Sequence, residues 1–282
     1  MRKTKKMKIA LIIIISVLVV FFLILMPALT IFVYKQNFGS RFKTPEWMAY
    51  SVSDFDGLQV RECTFTSDKG QRLTGYQYSK GDQQIKGVVV MAHGFGGGGH
   101  NTYMDVADYF ASNGWLVFAY DATGNDKSEG DAVGGLPQGV IDLDYALRYV
   151  KQTEEYEGLP IVLFGHSWGG YSVGSVLNFH GDVKAAVLLS GFDRSADLLR
   201  QEGASIVGAG INLMMPYFSL YERLKFGKYA ACGVLDGFAD TDAGILVVHS
   251  RDDNVVLPEN GYDKFHARYG SDPRFVFIEY KD

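Results

Sequence analysis

One stretch restricts the folds open to this chain more than any other: residues 159–171, LPIVLFGHSWGGY. A short apolar run rich in β-formers, Ile161 to Phe164, meets Gly165-His166-Ser167-Trp168-Gly169, and small residues then open an apolar-periodic segment. That order reads as strand, sharp turn, helix, with Ser167 at the turn. The flanking glycines suit such a turn, because the central residue is held in a strained conformation and its neighbours must approach adjoining backbone without a Cβ. The hydroxyl is then lifted clear of the sheet edge, and the Trp168 N–H lies at a helix N-terminus, where an oxyanion would be stabilised. A glycine-rich turn with an ordinary serine is the plainer account in a chain with 33 glycines. The strand before the motif and the helix after it argue against that account.

The N-terminus adds a second constraint. Met1 to Lys8 holds Arg2, Lys3, Lys5, Lys6 and Lys8, and Ile9 to Tyr34 then runs without a charge. At about 1.5 Å per residue that is roughly 39 Å of helix, enough to cross a hydrocarbon core of about 30 Å with some tilt. A cleaved signal peptide shares the basic start, but the apolar part is longer than a usual h-region and no A-x-A exit precedes Lys35. The expectation is one uncleaved transmembrane span over 9–34, with the basic tail 1–8 in the cytoplasm and the large domain on the extracytoplasmic face of the cell membrane. The 282-residue chain carries a formal charge of −5, so the remainder of the chain beyond the basic tail is more acidic still. That balance argues against nucleic acid or anionic lipid as a partner of the large domain. Residues 35–57, of mixed polarity, read as a juxtamembrane linker that holds the domain off the bilayer.

Past the linker, Val60 to Ser67 and Arg72 to Ser79 alternate as two antiparallel strands at a sheet edge. Gly87 to Ala92 reads as a strand buried on both faces and ends in His93-Gly94-Phe95 followed by four more glycines. Such a loop can bring a backbone N–H close to a substrate oxygen, and the Phe95 N–H is the candidate second oxyanion donor, opposite that of Trp168. A flexible loop or a phosphate cradle are the alternatives, the latter without the Gly-Lys-Ser/Thr it would need. An amphipathic segment, Tyr103 to Asn113, precedes the strand Trp115 to Tyr120. The turn-rich loop Asp121 to Gly130 is expected to line a ligand crevice. A helix over Gln138 to Thr153 leads to the serine strand, and strands Val183 to Ser190, Ile245 to His249 and Arg274 to Tyr280 come after it. This alternation predicts a mostly parallel sheet with crossover helices.

Taken in order, the strand with His93-Gly94-Phe95-Gly96, the strand with Asp121 and then Gly124, Ser128, Glu129 and Gly130, and the Gly165 to Gly169 elbow resemble the α/β-hydrolase superfamily. The match covers about residues 58–282 and is nearest to monoglyceride-lipase-like hydrolases and serine aminopeptidases. The resemblance implies an eight-stranded, mostly parallel α/β-hydrolase sheet with helices on both faces and a small helical cap at about 191–244; the transmembrane helix read from the apolar run precedes it. It implies a serine hydrolase that cleaves a small-molecule ester or peptide through an acyl-enzyme on Ser167, with no cofactor or metal. The family pattern after the seventh strand places a histidine-orienting carboxylate at Asp253, with Asp252 as the alternative. Leu213, Met214, Met215, Tyr217, Phe218 and Tyr221 of the cap would shape an apolar pocket or simply pack on the sheet. An aminopeptidase would also need an acidic group for the substrate amine, either Glu129 or a cap residue.

A serine hydroxyl needs a base to take its proton. In the resembled family that base is a histidine in the loop after the last strand, and here no histidine follows Tyr280. His93 is expected to support the oxyanion loop, His166 to point away from the hydroxyl, and His180 and His266 to lie at the surface. His100 and His249, with His93, are candidate substitutes. The expectation is that the sequence stops short of its catalytic histidine and, as it stands, makes an inactive or very weak hydrolase. A noncatalytic anchored binding module on the same scaffold is the rival. Cys63 and Cys232 could form one disulfide or stay as two buried thiols.

Overall fold

An apolar run with no helix breaker at its centre continues as a helix until its environment changes. The computed structural model describes residues 2–81 and 84–281 and places α1 (Arg2–Val20), one π turn (Phe21–Leu25) and α2 (Met26–Phe38) end to end. Met1 of the basic tail and Asp282 of the expected domain lie outside the described residues. Apolar side chains from Ile9 to Leu25 are exposed, whereas Met26, Thr30, Tyr34 and Phe38 are buried. Spacing of four marks one helix face, and this face packs on α7 (Ile211–Phe226). The helix thus enters the globular fold well before the expected boundary at Tyr34. The stretch Lys5–Phe38 is long and apolar enough to cross a membrane, and the cap segment Ser195–Ala239 passes the same test.

The segment expected to hold the domain off the bilayer is instead docked onto it. The Phe42 N–H donates to Gly124 O at 2.9 Å and the Asp126 N–H to Phe42 O at 3.0 Å. The Arg41 guanidinium donates to the carbonyls of Asp126 and Ser128, and the Thr44 N–H and hydroxyl donate to the Asp126 carboxylate. These bonds satisfy backbone groups that a free linker would leave to water.

The sheet has eight strands in the order β1-β2-β4-β3-β5-β6-β7-β8. The hairpin β1 (Leu58–Thr66) and β2 (Arg72–Lys80) is antiparallel and forms one edge. From β4 (Leu116–Tyr120) through β3 (Val88–Ala92), β5 (Ile161–His166), β6 (Ala185–Leu189), β7 (Gly244–Ser250) and β8 (Phe275–Tyr280) every pairing is parallel. One face packs on α4 (Pro137–Gln152), α5 (Trp168–Val176), α8 (Val234–Ala239) and α9 (Tyr262–Tyr269) in the larger core. The other face meets α3 (Met104–Ser112), where Met104, Ala107 and Ala111 sit against Val89, Met91, Val117 and Ala119. Coverage there is uneven, since Val276 and Ile278 on the same side of β8 are 56% and 37% exposed. Of the segment 191–244 expected as a cap, α6 (Ser195–Val207) and α7 form the long helices, while α8 packs in the larger core. Cys63 and Cys232 are free and half-buried, so neither a disulfide nor a pair of fully buried thiols is found.

Candidate active site

Ser167 follows β5 and precedes α5 with φ 54° and ψ −114°, a left-handed conformation that a β-carbon makes unfavourable. Crowding holds it there. A Cβ on Gly165 would lie 2.2 Å from Gly169 O, and one on Gly169 would lie 2.0 Å from Ala92 O, so helix, β5 and β3 approach one another only because both residues are glycine. The Ser167 N–H donates to Leu189 O at 2.8 Å, tying the turn to β6. Trp168 begins α5, so its N–H has no carbonyl partner within the helix. Its indole N–H donates to Leu136 O at 2.7 Å, which fixes the first turn in place.

The glycine loop after β3 is anchored from beneath by two histidines and an aspartate. His93 is buried, its Nδ1–H donating to Gly94 O at 2.7 Å and its Nε2 accepting from the Ala122 N–H at 3.0 Å. Burial pushes its imidazole below the usual value, in keeping with this neutral tautomer. His100 stacks on Tyr76 with ring centroids 3.4 Å apart and donates from Nδ1 to Asp121, which also accepts from the Tyr76 hydroxyl. Burial alone would raise the Asp121 carboxyl, but the hydrogen bond and charge of His100 hold it below its usual range. Phe95 rides on this support, and its ring meets Trp168 edge-on at 5.7 Å.

Asp253 lies in the turn after β7. Its Oδ1 accepts from the N–H groups of Val255 and Val256, both at 2.9 Å, and its Oδ2 is 3.5 Å from His249 Nε2. His249 is buried and its Nε2–H donates to Val256 O at 2.8 Å, while its Nδ1 has no hydrogen-bond partner among the described residues. On the other side His166 Nδ1 pairs with the Tyr103 hydroxyl at 2.8 Å. Burial pushes His166 down, and the charge of Asp253 opposes that shift.

Ser167, Trp168 and Phe95 line one cavity of about 330 Å³. Its other walls are Phe192, Leu198, Leu199 and Ile211 from the cap side, Val255 and Val256 from the turn after β7, and Val33, Tyr34, Asn37 and Phe38 from α2. Phe218 of the cap lines it too, while Met215 packs inward and Leu213 is exposed, so the cap's apolar stripe divides between pocket and packing. Among the described residues no histidine lines this cavity.

Three expectations are corrected. The loop Asp121–Gly130 does not line the cavity, because it is occupied by the docked segment 41–44 and by its support of the glycine loop. Glu129 is held by Arg72 through the backbone N–H and two guanidinium bonds, and so is spent on a surface pair. His180 is 7% exposed rather than at the surface, donating from Nε2 to Asp144 and accepting at Nδ1 from Lys151, because the turn after α5 tucks under α4. His266 is exposed as expected. What sequence reasoning missed is the contribution of α2. The signal was available in Thr30, Tyr34 and Phe38, whose spacing of four marks a face that meets protein.

Residues 83–230 match the family described as serine aminopeptidase, S33. The chain is 28% identical to a caffeoylshikimate esterase of Arabidopsis thaliana over 193 residues, 67% of this chain and 51% of that protein. It is 28% identical to a monoglyceride lipase of Homo sapiens over 152 residues, 51% of this chain and 48% of that protein. It therefore spans about half the length of these curated relatives. Among solved structures, an esterase of Pyrococcus furiosus superposes with a TM-score of 0.63 at 16% identity, over 85% of this chain and 88% of that one. An acylaminoacyl peptidase of Pyrococcus horikoshii gives a TM-score of 0.61 at 18% identity, over 82% of this chain and 38% of that one. At such identities the structures share the fold alone.

Proposed function

The chain belongs to the serine aminopeptidase (S33) family of α/β-hydrolases, and from that premise we propose that it is a membrane-anchored serine hydrolase cleaving a carboxylic ester or amide through an acyl-enzyme. The observation that carries this reading is the strained Ser167 opening, with Trp168 and Phe95, onto one apolar cavity. Ser167 Oγ attacks the carbonyl carbon as a base takes its proton, and the N–H groups of Trp168 and Phe95 hold the oxyanion that forms. Collapse expels the alcohol or amine, which receives that proton, and water then releases the acid. Asp253 orients the basic histidine. His249 is the histidine beside it, and the test therefore includes that residue. The N-terminal helix anchors the protein with its basic end in the cytoplasm.

Intact protein is expected to react with a fluorophosphonate at Ser167, and Ser167→Ala to give no adduct by mass spectrometry. Loss of labelling in His249→Gln identifies the base as His249, and retention assigns that role to another group. Unlabelled wild-type protein would replace the enzyme reading with that of a noncatalytic binding module. The apolar lining favours esters of apolar acids. A peptidase reading rests on Glu202, the acidic residue lining the cavity, which would hold a substrate amine. Glu202→Gln would then suppress hydrolysis of aminoacyl amides while sparing acyl esters.

A further inference from the structure

The N-terminal helix does more at the cavity than an anchor requires. Val33, Tyr34, Asn37 and Phe38 come from its last two turns and face the same space as Ser167. Side-chain bonds lock that end in place. The Tyr34 hydroxyl and the Ser195 hydroxyl both donate to Glu222 Oε1 at 2.7 Å, joining α2, α6 and α7 at a carboxylate that is only 4% exposed. Burial pushes the Glu222 carboxyl up, and the two donors oppose that shift. Farther along, the Tyr217 hydroxyl donates to Phe22 O at 2.9 Å in the π turn, where the regular i→i+4 ladder is interrupted and a carbonyl can accept from outside the helix. The Phe38 ring meets Phe95 edge-on at 5.6 Å, so the helix also touches the candidate oxyanion loop.

We propose that the end of the N-terminal helix is a specificity-determining wall of the acyl pocket, on which Val33 and Asn37 set the length of the single acyl chain that reaches Ser167. The inference rests on the acyl-transfer reading above. A cavity of about 330 Å³ stands at the small end of ligand sites, so thickening one wall changes what fits. Beyond the cavity the same helix exposes Leu25, Leu29 and Phe32, so a chain that overruns the pocket along α2 meets apolar surface rather than water. The helix is thereby both the attachment to the bilayer and the guide for an acyl group taken from it.

The test uses full-length protein in phosphatidylcholine vesicles and three alkyl fluorophosphonates, ethyl, dodecyl and hexadecyl, with the rate of Ser167 modification read by intact mass. Val33→Trp is expected to lower the dodecyl-to-ethyl rate ratio at least tenfold, and Val33→Ala to raise the rate of a hexadecyl probe relative to dodecyl. Ala28→Trp, exposed on the helix face opposite Val33 and Asn37, is expected to keep the dodecyl-to-ethyl ratio within twofold. An unchanged ratio in both Val33 variants, or an equal fall in Ala28→Trp, overturns the proposal. If none of the probes modifies wild-type Ser167, the acyl-transfer reading fails separately. The wall is then read by displacement of a fluorescent fatty acid, where Val33→Trp must weaken palmitate at least tenfold more than octanoate. Equal weakening of the two acids overturns the wall.

Discussion

The turn at Ser167 and the turn at Asp253 close two strands of one parallel sheet, β5 and β7, with β6 between them. They are held in opposite ways. At Ser167 backbone meets backbone on every side, and the glycines at 165 and 169 leave no room for a single added carbon. At Asp253 the neighbours Asp252, Asn254 and Val255 are exposed, and one carboxylate oxygen holds the turn by accepting from two N–H groups. The position of Ser167 is a property of the packed sheet, whereas the position of Asp253 is a property of its own side chain. The first should resist chemical substitution and fail under steric substitution, and the second the reverse.

The largest effect is expected on the acid side. Asp253→Asn keeps a carbonyl oxygen for Val255 and Val256 but removes the charge that would hold a histidine in the productive tautomer. Fluorophosphonate labelling and ester turnover should fall by roughly 10² to 10⁴, with little change in the urea midpoint. Asp252→Asn should change both rates less than about twofold, as an exposed loop substitution does. A greater loss from Asp252→Asn would reverse the assignment of the acid.

On the nucleophile side the matching experiment is steric. Gly169→Ala would drive a methyl group into Ala92 O and should destabilise the protein by about 3 kcal/mol, read as a fall in urea midpoint. Asn254→Ala in the exposed turn should change stability by less than about 0.5 kcal/mol. Comparable losses at the two sites would erase the distinction between the turns.

This difference explains what could be read from the sequence. Steric demands leave a spelling behind: glycines around Ser167 and after His93, and continuous apolar runs for strands buried on both faces, so the succession of strands, the tight turn at Ser167 and the glycine loop were legible. Asp253 was separable from Asp252 only by a family pattern, because two adjacent carboxylates in a loop look alike until the turn decides which one faces inward. His180 was misread because its partner Asp144 lies 36 residues earlier, and no local pattern contains that contact. The cavity wall in α2 was hidden by the long apolar run before it, which reads as lipid-facing all round when its last turns face protein.

Strain at the nucleophile gives a third, smaller effect of opposite sign. A serine at φ 54° carries a conformational penalty of about 1–3 kcal/mol, and glycine removes it while adding about 0.5–1 kcal/mol of unfolded-state entropy. Ser167→Gly should therefore abolish labelling and raise stability by about 1 kcal/mol in urea unfolding. A destabilised variant would show that Ser167 is held by favourable contacts rather than against its own preference.

The smallest effect sharpens the comparison through pH. Protonating His93 would set a second ring N–H against the Ala122 N–H, in a site where burial already disfavours the charge. Asp121 and Asp126 oppose the downward shift and His100 adds to it, and the net direction is down. A base whose folded pKa lies below the unfolded value of 6.5 binds its proton more readily in the unfolded chain. Its contribution is complete above about pH 6.5 and declines as pH falls from there toward the folded value. His166, also lowered by burial, acts in the same direction, so the wild-type slope contains both groups. His93→Gln should leave a shallower fall in urea midpoint between about pH 7.5 and 5.5 than wild type, at some loss of stability at the upper end. An unchanged slope would remove His93 from the account and leave His166 as the titrating support of the elbow.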